Sequence, residues 1–236
     1  MQAVILAAGI GKRMRPATLM RPKPLIEVAG TPLFEHVIEA LPSVVDELII
    51  IVGYKGAMIR THLGPRHGSR AIWYVEQAKP EGTAAALALA RPFLSGRFLL
   101  MCADDIHGAP ALAAAMRYPL AILAAHHSEP QKFGVIEMSA DGILQSLEEK
   151  PEMPKSDLVS TGAMVLDERV FAYPAPRHNN GEYYLTSQVA ALAGDAPMQV
   201  VMQDIWIPVG CPEDISIAER FIPAASPSPE PSSSCL

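Results

Sequence analysis

Cysteine is scarce in this sequence, and its spacing excludes two classes of protein. The 236 residues include only Cys102, Cys211 and Cys235, with no C-x-x-C pair. An odd number of widely spaced cysteines provides neither a disulfide framework nor a structural zinc site. The seven histidines show no ligand spacing either, and the adjacent His126 and His127 would project to opposite faces of a strand. We expect these histidines to bond solvent or core groups rather than a metal.

An excess of positive charge and long apolar runs are also missing. The chain has 19 Lys and Arg against 25 Asp and Glu, a net charge of −6, which argues against a nucleic-acid partner. Every apolar run ends well before the roughly 18–20 residues that a membrane span needs. The apolar start has no basic lead, so it reads as a first strand rather than a signal peptide. We therefore expect a cytoplasmic protein that does not bind a membrane.

Core-forming residues are abundant. Half of the residues are hydrophobic and 19% are charged, a composition that can bury a large core. The length suits one large α/β domain, which we expect over residues 1–222. The remaining segment, PAASPSPEPSSSCL at 223–236, is rich in proline and serine and is predicted to be a disordered tail.

The first half of the chain alternates between strand-like and helix-like segments. Continuous apolar runs predict parallel strands buried on both faces at residues 3–6, 48–52, 71–75, 98–102 and 120–124. Helices are predicted at 32–41, 56–63 and 83–90, with Thr31 as the N-cap and Pro32 as the first residue of the first helix. This alternation is typical of a doubly wound, Rossmann-like α/β fold with a mixed, mostly parallel sheet.

Beyond about residue 128 the segments become shorter and mixed. Strands are predicted at 134–138, 143–148 and 161–166, and an Asp-Gly pair at 141–142 marks a hairpin. We expect an antiparallel section that closes over one end of the parallel sheet.

A glycine-rich, basic segment follows the first predicted strand. In LAAGIGKRMRP at 6–16, Ala8, Gly9 and Gly11 precede a cluster of basic residues that includes Arg13. Glycines let the backbone N–H groups approach an anion, and the cluster supplies positive charge at the same place. A tight turn alone would also require glycine, but the basic cluster favours a polyphosphate loop. The spacing matches neither a P-loop nor a complete G-x-G-x-x-G.

Lys23 lies between two prolines, Pro22 and Pro24. The prolines fix the backbone, which lowers the entropy that the lysine loses when it meets a ligand. A solvated lysine in an extended surface linker explains the same pattern equally well.

A third segment, QAKPEGT at 77–83, ends one predicted strand and begins a helix. Gln77 offers a donor and an acceptor for a base edge, and Gly82 would let a flat ring lie against the backbone. Thr83 is predicted to cap the helix. A simple turn into a helix accounts for Gly82 and Thr83 without any ligand.

Two carboxylates, Asp104 and Asp105, follow a buried strand. Ligands bind at this edge of open α/β sheets, and hard oxygen donors suit Mg²⁺ on a phosphate. A single aspartate there could be a turn former, but two in succession favour a metal site.

Together these segments resemble the sugar-1-phosphate nucleotidyltransferases, also called NDP-sugar pyrophosphorylases. The resemblance spans the chain to about residue 222, as a catalytic domain alone, and its opening block with P-K-P-L is the most specific. The blocks fall in family order: LAAGIGKRMRPATLMRPKPL at 6–25, GTPL at 30–33, QAKPEGT at 77–83, Asp104, FGV at 133–135, EEKP at 148–151, GEYYLT at 181–186 and WIPVGCPED at 206–214.

The resemblance implies a reaction in which a nucleoside triphosphate and a sugar 1-phosphate give an NDP-sugar and pyrophosphate, with Mg²⁺. It implies catalytic roles for Arg13, Lys23 and Lys150, and a metal ligand in Asp104. Nucleotide contacts would come from Ala8, Gly9, Gly11, Gln77 and Gly82. Because Gln77, five residues before Gly82, can pair with the donor and acceptor edge of a uracil-type ring, we expect UTP or dTTP to be preferred. Sugar-phosphate contacts would come from Gly134, Glu149, Lys150, Thr161 and Gly162.

The chain departs from the family pattern near the metal. Pro208 stands where the family usually has its second metal-binding Asp, Ser187 where an Asp often follows Leu-Thr, and Asp105 where an Asn is frequent. Pro208 cannot bind a metal. A non-catalytic paralogue that keeps the pocket therefore stays an alternative, as does guanylyl or cytidylyl specificity. A glycosyltransferase of related fold fits less well, and the formation of a homo-oligomer is left open.

Overall fold

The computed structural model describes residues 1–222, so the predicted tail at 223–236 lies outside the described residues. The strands in this part of the chain are β1 (Gln2–Ala7), β2 (Glu27–Val28), β3 (Thr31–Pro32), β4 (Glu47–Val52), β5 (Arg66–His67), β6 (Arg70–Glu76), β7 (Arg97–Cys102), β8 (Asp105–His107), β9 (Ala121–His126), β10 (Gly134–Met138), β11 (Leu144–Glu149), β12 (Leu158–Asp167), β13 (Gln199–Met202) and β14 (Trp206–Pro208). The α-helices are α1 (Ala17–Met20), α2 (Leu33–Glu39), α3 (Gly56–Leu63), α4 (Thr83–Ala90), α5 (Ala109–Ala115), α6 (Leu185–Asp195) and α7 (Pro212–Ala218). No helix within residues 1–222 has the length and apolar character to cross a membrane.

One mixed sheet organises the molecule. Its order is β11-β10-β12-β7-β1-β4-β6-β5, and β9 pairs with both β12 and β13. β7, β1, β4 and β6 are parallel neighbours, which confirms the predicted mostly parallel α/β sheet. The run at 120–124 forms β9, but β9 does not join this parallel group. The antiparallel strand β12 lies between β7 and β9 and pairs with both.

Both faces of the parallel strands are buried, as their continuous apolar runs predict. Ala3, Ile5 and the neighbouring strand residues on the same face of the sheet pack against α2, α3 and α5. Val4 and its counterparts pack against α4 and α6 on the opposite face. A third, smaller cluster joins the segment after β1 to β8, β14 and α7. The sheet is therefore covered on both sides, and its edge at the carboxyl ends of the parallel strands remains open for ligands.

The first long helix begins later than predicted. Thr31 is not its N-cap, because Thr31 and Pro32 form β3, which pairs with β2 around a tight turn. Pro32 occupies the N-cap position, and the N–H of Leu33 donates to Ile26 O at 2.9 Å. The helix spans Leu33–Glu39 and begins one residue later than predicted, because Pro32 belongs to this hairpin, which the helix periodicity does not reveal.

The antiparallel section has the predicted strands. β10 and β11 form a hairpin through Gly142, whose φ is +74°. β12 is longer than predicted and carries an irregularity between Ser160 and Met164. One half of β12 pairs with β10 and the other half with β7, so this strand joins the antiparallel section to the parallel one.

Candidate functional site

Two adjoining cavities open at the carboxyl edge of the parallel strands, the edge where α/β sheets bind ligands. The loop cavity, of about 640 Å³, is lined by the glycine-rich loop after β1 and by residues that follow β6. The hairpin cavity, of about 350 Å³, is lined by residues of β10, β11 and β12. Arg13, Lys23 and Asp104 line both cavities, so these three side chains lie where the cavities meet.

The predicted site residues, which are far apart in sequence, lie in these two cavities. The loop cavity contains Ala8, Gly9, Gly11, Arg13, Lys23, Gln77, Gly82 and Asp104. The hairpin cavity contains Arg13, Lys23, Asp104, Gly134, Glu149, Lys150, Thr161 and Gly162. The division follows the predicted nucleotide and sugar-phosphate sets. Their contacts with ligands stay predictions.

The two glycines of the loop have different structural causes. Gly11 has φ +65°, and a Cβ there would lie 3.0 Å from the Thr18 methyl group, so sterics alone require glycine. A Cβ on Gly9 would meet no atom within 4 Å, although Gly9 lines the loop cavity. Packing within the described residues therefore does not explain Gly9, which borders the loop cavity.

Arg13 is exposed to both cavities. It lies in the short 3-10 turn Lys12–Met14, and a Cβ on Gly210 would come within 3.3 Å of its Nη2. The ion pairs formed within residues 1–222 do not include Arg13. A side chain at Gly210 would thus crowd the Arg13 guanidinium, and no ion pair within residues 1–222 neutralises its charge.

Lys23 is buried rather than solvated, so the surface-linker interpretation of this lysine is wrong. Its Nζ lies 2.7 Å from Asp104 Oδ2, and the carboxylate side chain remains 44% exposed. Burial acts to raise the pKa of Asp104, but the charge and hydrogen bond of Lys23, a backbone hydrogen bond and the charge of Arg13 together outweigh burial, so the pKa lies below its ordinary value. Asp104 is therefore an ionised, partly exposed carboxylate with one oxygen on Lys23.

Asp105 has a different environment from its neighbour. Burial, and then the charge of Asp104, raise the pKa of Asp105 to about 8. Trp206 Nε1 donates to Asp105 Oδ2 at 3.1 Å. Pro208 is the cross-strand partner of Asp105 in the β8–β14 pair, and it lines the hairpin cavity without offering a donor atom. Asp105 is thus the carboxylate directly opposite this proline.

Gln77 is buried at the end of β6, and its side chain is fixed. Its Nε2 donates to Gly82 O at 3.3 Å. Because a carbonyl oxygen only accepts, this contact sets the orientation of the amide and leaves Oε1 free. A Cβ on Gly82, where φ is +100°, would lie 2.5 Å from Tyr183 O. Backbone packing therefore explains Gly82 without a ligand, as the turn interpretation proposed.

The prediction that Thr83 caps α4 is wrong. Thr83 is the first residue of the helix, and Gly82 occupies the N-cap position. The Thr83 hydroxyl oxygen accepts from Leu185 N at 3.0 Å. Tyr183 N donates to Glu81 O at 2.8 Å, and Ala84 N donates to Tyr183 O at 2.9 Å. These contacts fix the GEYYLT segment against the start of α4, where both border the loop cavity.

The charged pair Glu149 and Lys150 lies in the hairpin cavity. Lys150 Nζ is 3.2 Å from Glu149 Oε1, and only 12% of the Glu149 side chain is exposed. The Lys150 ammonium also lies 5.0 Å from the ring centroid of Tyr184. Lys150 has φ +46°, an uncommon conformation for a side-chain-bearing residue that is frequent at functional sites. The pair is therefore an ordered element of the cavity, not a solvated charge run.

Thr161 and Gly162 reach the hairpin cavity because β12 is irregular there. Gly162 has φ +77°, and a Cβ on it would lie 3.2 Å from Cys102 Sγ. The Thr161 hydroxyl donates to Leu123 O at 3.1 Å, so its remaining capacity toward a ligand is as an acceptor. A glycine within a predicted strand is the signal for such a bulge.

Several cavity residues were not among the predicted site residues. Tyr184 and Cys102 line both cavities, and Arg177 lines the loop cavity. Burial raises the pKa of the Cys102 thiol well above its ordinary value, so it stays protonated. Arg177 Nε donates to Gly181 O at 3.2 Å. This hydrogen bond holds the Arg177 side chain against the backbone of the same turn. The GEYYLT block pointed to this segment, but no periodicity marks Arg177.

The adjacent His126 and His127 each contact a protein group. His126 Nδ1 lies 2.9 Å from Asp157 Oδ1 at the surface, and His127 Nδ1 accepts from Glu129 N at 3.0 Å. Within residues 1–222, the structure contains no group of three or more His, Cys, Asp or Glu side chains arranged to hold a metal ion.

Acidification is expected to destabilise the protein through His107, which is buried with Nδ1 3.2 Å from Gln203 Oε1. Burial lowers the pKa of His107 from 6.5 to about 4, against weaker opposing effects of Gln203 and Asp104. The unfolded chain therefore takes up the proton first. The stabilisation from neutral His107 is complete above the pKa that this histidine has in the unfolded chain. It is lost as the pH falls toward the lower pKa of the folded state. At pH 5 the loss is about 2 kcal/mol of unfolding free energy.

Denaturant titrations at pH 7 and pH 5 measure this effect. His107→Leu should shrink the difference in unfolding free energy between the two pH values, whereas His126→Gln, at an exposed histidine, should leave it as in the wild type. An equal difference in the wild type and His107→Leu would assign the acid sensitivity to other groups.

The fold and the two cavities define an α/β protein with open cavities at the carboxyl edge of its sheet. The chain belongs to the family described as Nucleotidyl transferase, whose profile matches residues 2–224, and this confirms the family resemblance of the motifs. It is 32% identical to the protein named bifunctional protein GlmU of Methanocaldococcus jannaschii, over 94% of this chain and 54% of that protein. It is 30% identical to the UTP–glucose-1-phosphate uridylyltransferase AglF of Haloferax volcanii, over 93% of this chain and 96% of that protein.

The fold is also shared with a solved structure. A crystal structure of a Bacillus anthracis protein assigned as a glucose-1-phosphate thymidylyltransferase superposes with a TM-score of 0.85, at 24% identity over 94% of each chain. At that identity the likeness concerns the fold alone. The chain spans about half the length of the GlmU relatives that it matches.

Proposed function

We propose that residues 1–222 form the catalytic domain of a sugar-1-phosphate nucleotidyltransferase, which makes an NDP-sugar and pyrophosphate from a nucleoside triphosphate and a sugar 1-phosphate. One observation carries the proposal. A transfer between two substrates needs two binding cavities that meet at the reacting phosphates, and Arg13, Lys23 and Asp104 lie where the loop and hairpin cavities meet. The name of the Haloferax relative supports the same reaction class.

The residues present suit direct transfer. The phosphate oxygen of the sugar 1-phosphate is already ionised at neutral pH, so it can attack the α-phosphorus without a protein base or nucleophile. The new bond joins that oxygen to the α-phosphorus, and the bond to the β-phosphate breaks to release pyrophosphate. Catalysis is then alignment and charge stabilisation. Arg13 would stabilise the departing pyrophosphate, Lys23 would contact the reacting phosphates, and Lys150 would hold the phosphate of the sugar.

Mg²⁺ fits the donors at this junction. Mg²⁺ keeps several waters and takes one or two protein carboxylates together with substrate phosphates. Asp104 remains partly exposed beside its contact with Lys23. Asp105, opposite Pro208, has a pKa raised to about 8 and is mainly a neutral carboxyl group at pH 7. Asp104 would hold the ion, which when bound neutralises charge on the α-phosphate. A second protein carboxylate is not required for that role.

Pyrophosphate release tests the proposal. The purified full chain is incubated with Mg²⁺, one of five nucleoside triphosphates (ATP, CTP, GTP, UTP, dTTP) and one of a panel of sugar 1-phosphates. We expect turnover for at least one pair. Nucleotide binding by calorimetry without pyrophosphate from any pair would instead support a non-catalytic paralogue.

For the base, we expect UTP or dTTP to be preferred over GTP and ATP. The Gln77 amide is held by Gly82, so Oε1 and the second N–H can pair with the donor and acceptor edge of a uracil-type ring. An unpaired buried polar group costs about 1–3 kcal/mol, so such a contact discriminates well. Values of kcat/KM for each triphosphate measure the preference, and Gln77→Ala should reduce it. If GTP gave the highest kcat/KM, this assignment of Gln77 would be wrong.

A further inference from the structure

The short helix α1 follows the glycine-rich loop and has little apolar anchoring. Leu19 is 52% exposed and Met20 is 76% exposed, whereas Thr18 is buried. A helix of four residues is not stable by itself, so other contacts must hold it. α1 is therefore held in place mainly by polar contacts.

Thr18 connects α1 to the loop that carries Arg13. Its hydroxyl donates to Gly11 O at 2.9 Å, and its methyl group would lie 3.0 Å from a Cβ on Gly11. Gly11 O also accepts from Met14 N at 3.0 Å, which closes the turn that includes Arg13. The position of Thr18 therefore sets the position of this turn.

The loop between β4 and α3 holds α1 from the other side. Tyr54 Oη donates to Thr18 O at 3.0 Å. Lys55 Nζ donates to Leu19 O at 2.7 Å and to Met20 O at 3.1 Å. Three successive carbonyls, which a helix end leaves without internal partners, thus accept from two adjacent side chains. Lys55 adopts φ +54°, a conformation uncommon for lysine.

The same loop is packed against the start of the glycine-rich segment. A Cβ on Gly53 would lie 2.8 Å from Ala8 O, so the two loops touch through their backbones. The glycine-rich loop, α1 and the β4–α3 loop therefore form a closed ring of contacts. Arg13 lies on this ring and faces the cavities, whereas Thr18, Tyr54 and Lys55 line neither cavity.

We propose that Tyr54, Lys55 and Thr18 are positioning residues that act through α1 to hold the Arg13 turn against the triphosphate. The inference rests on the proposed function, because it assigns this turn to the triphosphate. Loss of these contacts would leave the fold and the hairpin cavity intact and would affect binding and catalysis at the loop cavity.

The test compares Tyr54→Phe, Lys55→Met, their double variant, Thr18→Val and Thr18→Ser. Tyr74→Phe is the matched control, because Tyr74 Oη donates to Gly64 O at 2.6 Å, a backbone contact of the same kind outside both cavities. Measurements are the affinity for inorganic pyrophosphate by calorimetry, kcat, KM for the sugar 1-phosphate, the melting temperature and amide exchange at Met14.

The double variant, which removes three hydrogen bonds, and Thr18→Val, which removes one, are each expected to weaken pyrophosphate binding and to lower kcat by about 3- to 10-fold. Amide exchange at Met14 should become faster, and KM for the sugar 1-phosphate should stay near the wild-type value. Thr18→Ser, which keeps the hydroxyl group, should retain the wild-type pyrophosphate affinity and kcat. Behaviour equal to that of Tyr74→Phe would overturn the proposal. So would a fall of every affinity together with the melting temperature, which would indicate a general structural role.

The two proposals can fail separately. A wild-type chain that binds pyrophosphate but transfers no nucleotide contradicts the proposed function, while pyrophosphate affinity and Met14 exchange still test the positioning role. Normal wild-type turnover with unaltered variants contradicts the positioning role alone. If the double variant does not fold, Tyr54→Phe, which removes a single oxygen atom, and Thr18→Ser provide the comparison.

Discussion

Asp104→Asn is expected to lower the rate of pyrophosphate release by about 10²- to 10³-fold, comparable with the removal of one transition-state charge contact. The substitution keeps the size of the side chain and removes its charge. Lys23, whose Nζ lies 2.7 Å from the carboxylate and whose side chain is 9% exposed, would be left as a buried ammonium against a neutral amide. The variant would also lose the carboxylate proposed for Mg²⁺. The rate at saturating substrates and its dependence on Mg²⁺ concentration measure the effect, with Mg²⁺ affinity by calorimetry as a readout independent of turnover.

Asp204→Asn is the matched control for this substitution. Asp204 is exposed, lies between β13 and β14 and lines neither cavity, so we expect a change of rate of no more than about twofold, typical of surface substitutions. Asp105→Asn should have an intermediate effect, because an amide oxygen can still accept from Trp206. Retention of most of the wild-type rate by Asp104→Asn would exclude Asp104 as the metal ligand.

The parallel half of the fold could be predicted because its strands are buried on both faces. A run such as Leu48–Ile51, in which every residue is fully buried, has no polar alternation and so reads as a central strand. The same property hides the order of strands. β9 has an equally continuous apolar sequence, and only the long-range pairing of β12 with β7 and β9 separates it from the parallel group. Local sequence does not encode which distant strand fills that position.

The candidate site was predictable where glycines or charged residues directly follow a predicted parallel strand. Gly9, Arg13 and Asp104 follow strands whose carboxyl ends must share one edge, and the structure brings them to that edge. The reasons for individual residues were less accessible. Gly82 and Thr83 serve contacts with Tyr183 and Leu185, about a hundred residues later in the chain. Such contacts depend on how the GEYYLT segment docks, which no local pattern reveals.

Arg13→Ala is expected to lower kcat by about 10²- to 10³-fold while leaving the affinity for the sugar 1-phosphate nearly unchanged. Arg13 lines both cavities and forms no ion pair within residues 1–222, so its charge is available to the departing pyrophosphate. That contact strengthens as negative charge develops on the leaving group, and interactions made mainly in the transition state appear in kcat. The Glu149–Lys150 pair lies on the hairpin side and is not altered by the substitution. Steady-state kinetics and calorimetry with the sugar 1-phosphate measure the two quantities.

Lys12→Ala separates the specific role of Arg13 from the general charge of the loop. Lys12 is the preceding cation of the same turn, but it lines only the loop cavity and does not face the hairpin cavity. Its removal should raise KM for the triphosphate with little change of kcat, because a contact made equally in the ground state and the transition state affects binding alone. Equal losses of kcat in both variants would assign the effect to the summed charge of the loop. An unchanged kcat in Arg13→Ala would remove Arg13 from the catalytic set, and the charge that balances the departing pyrophosphate would then have to come from Lys23 and the metal.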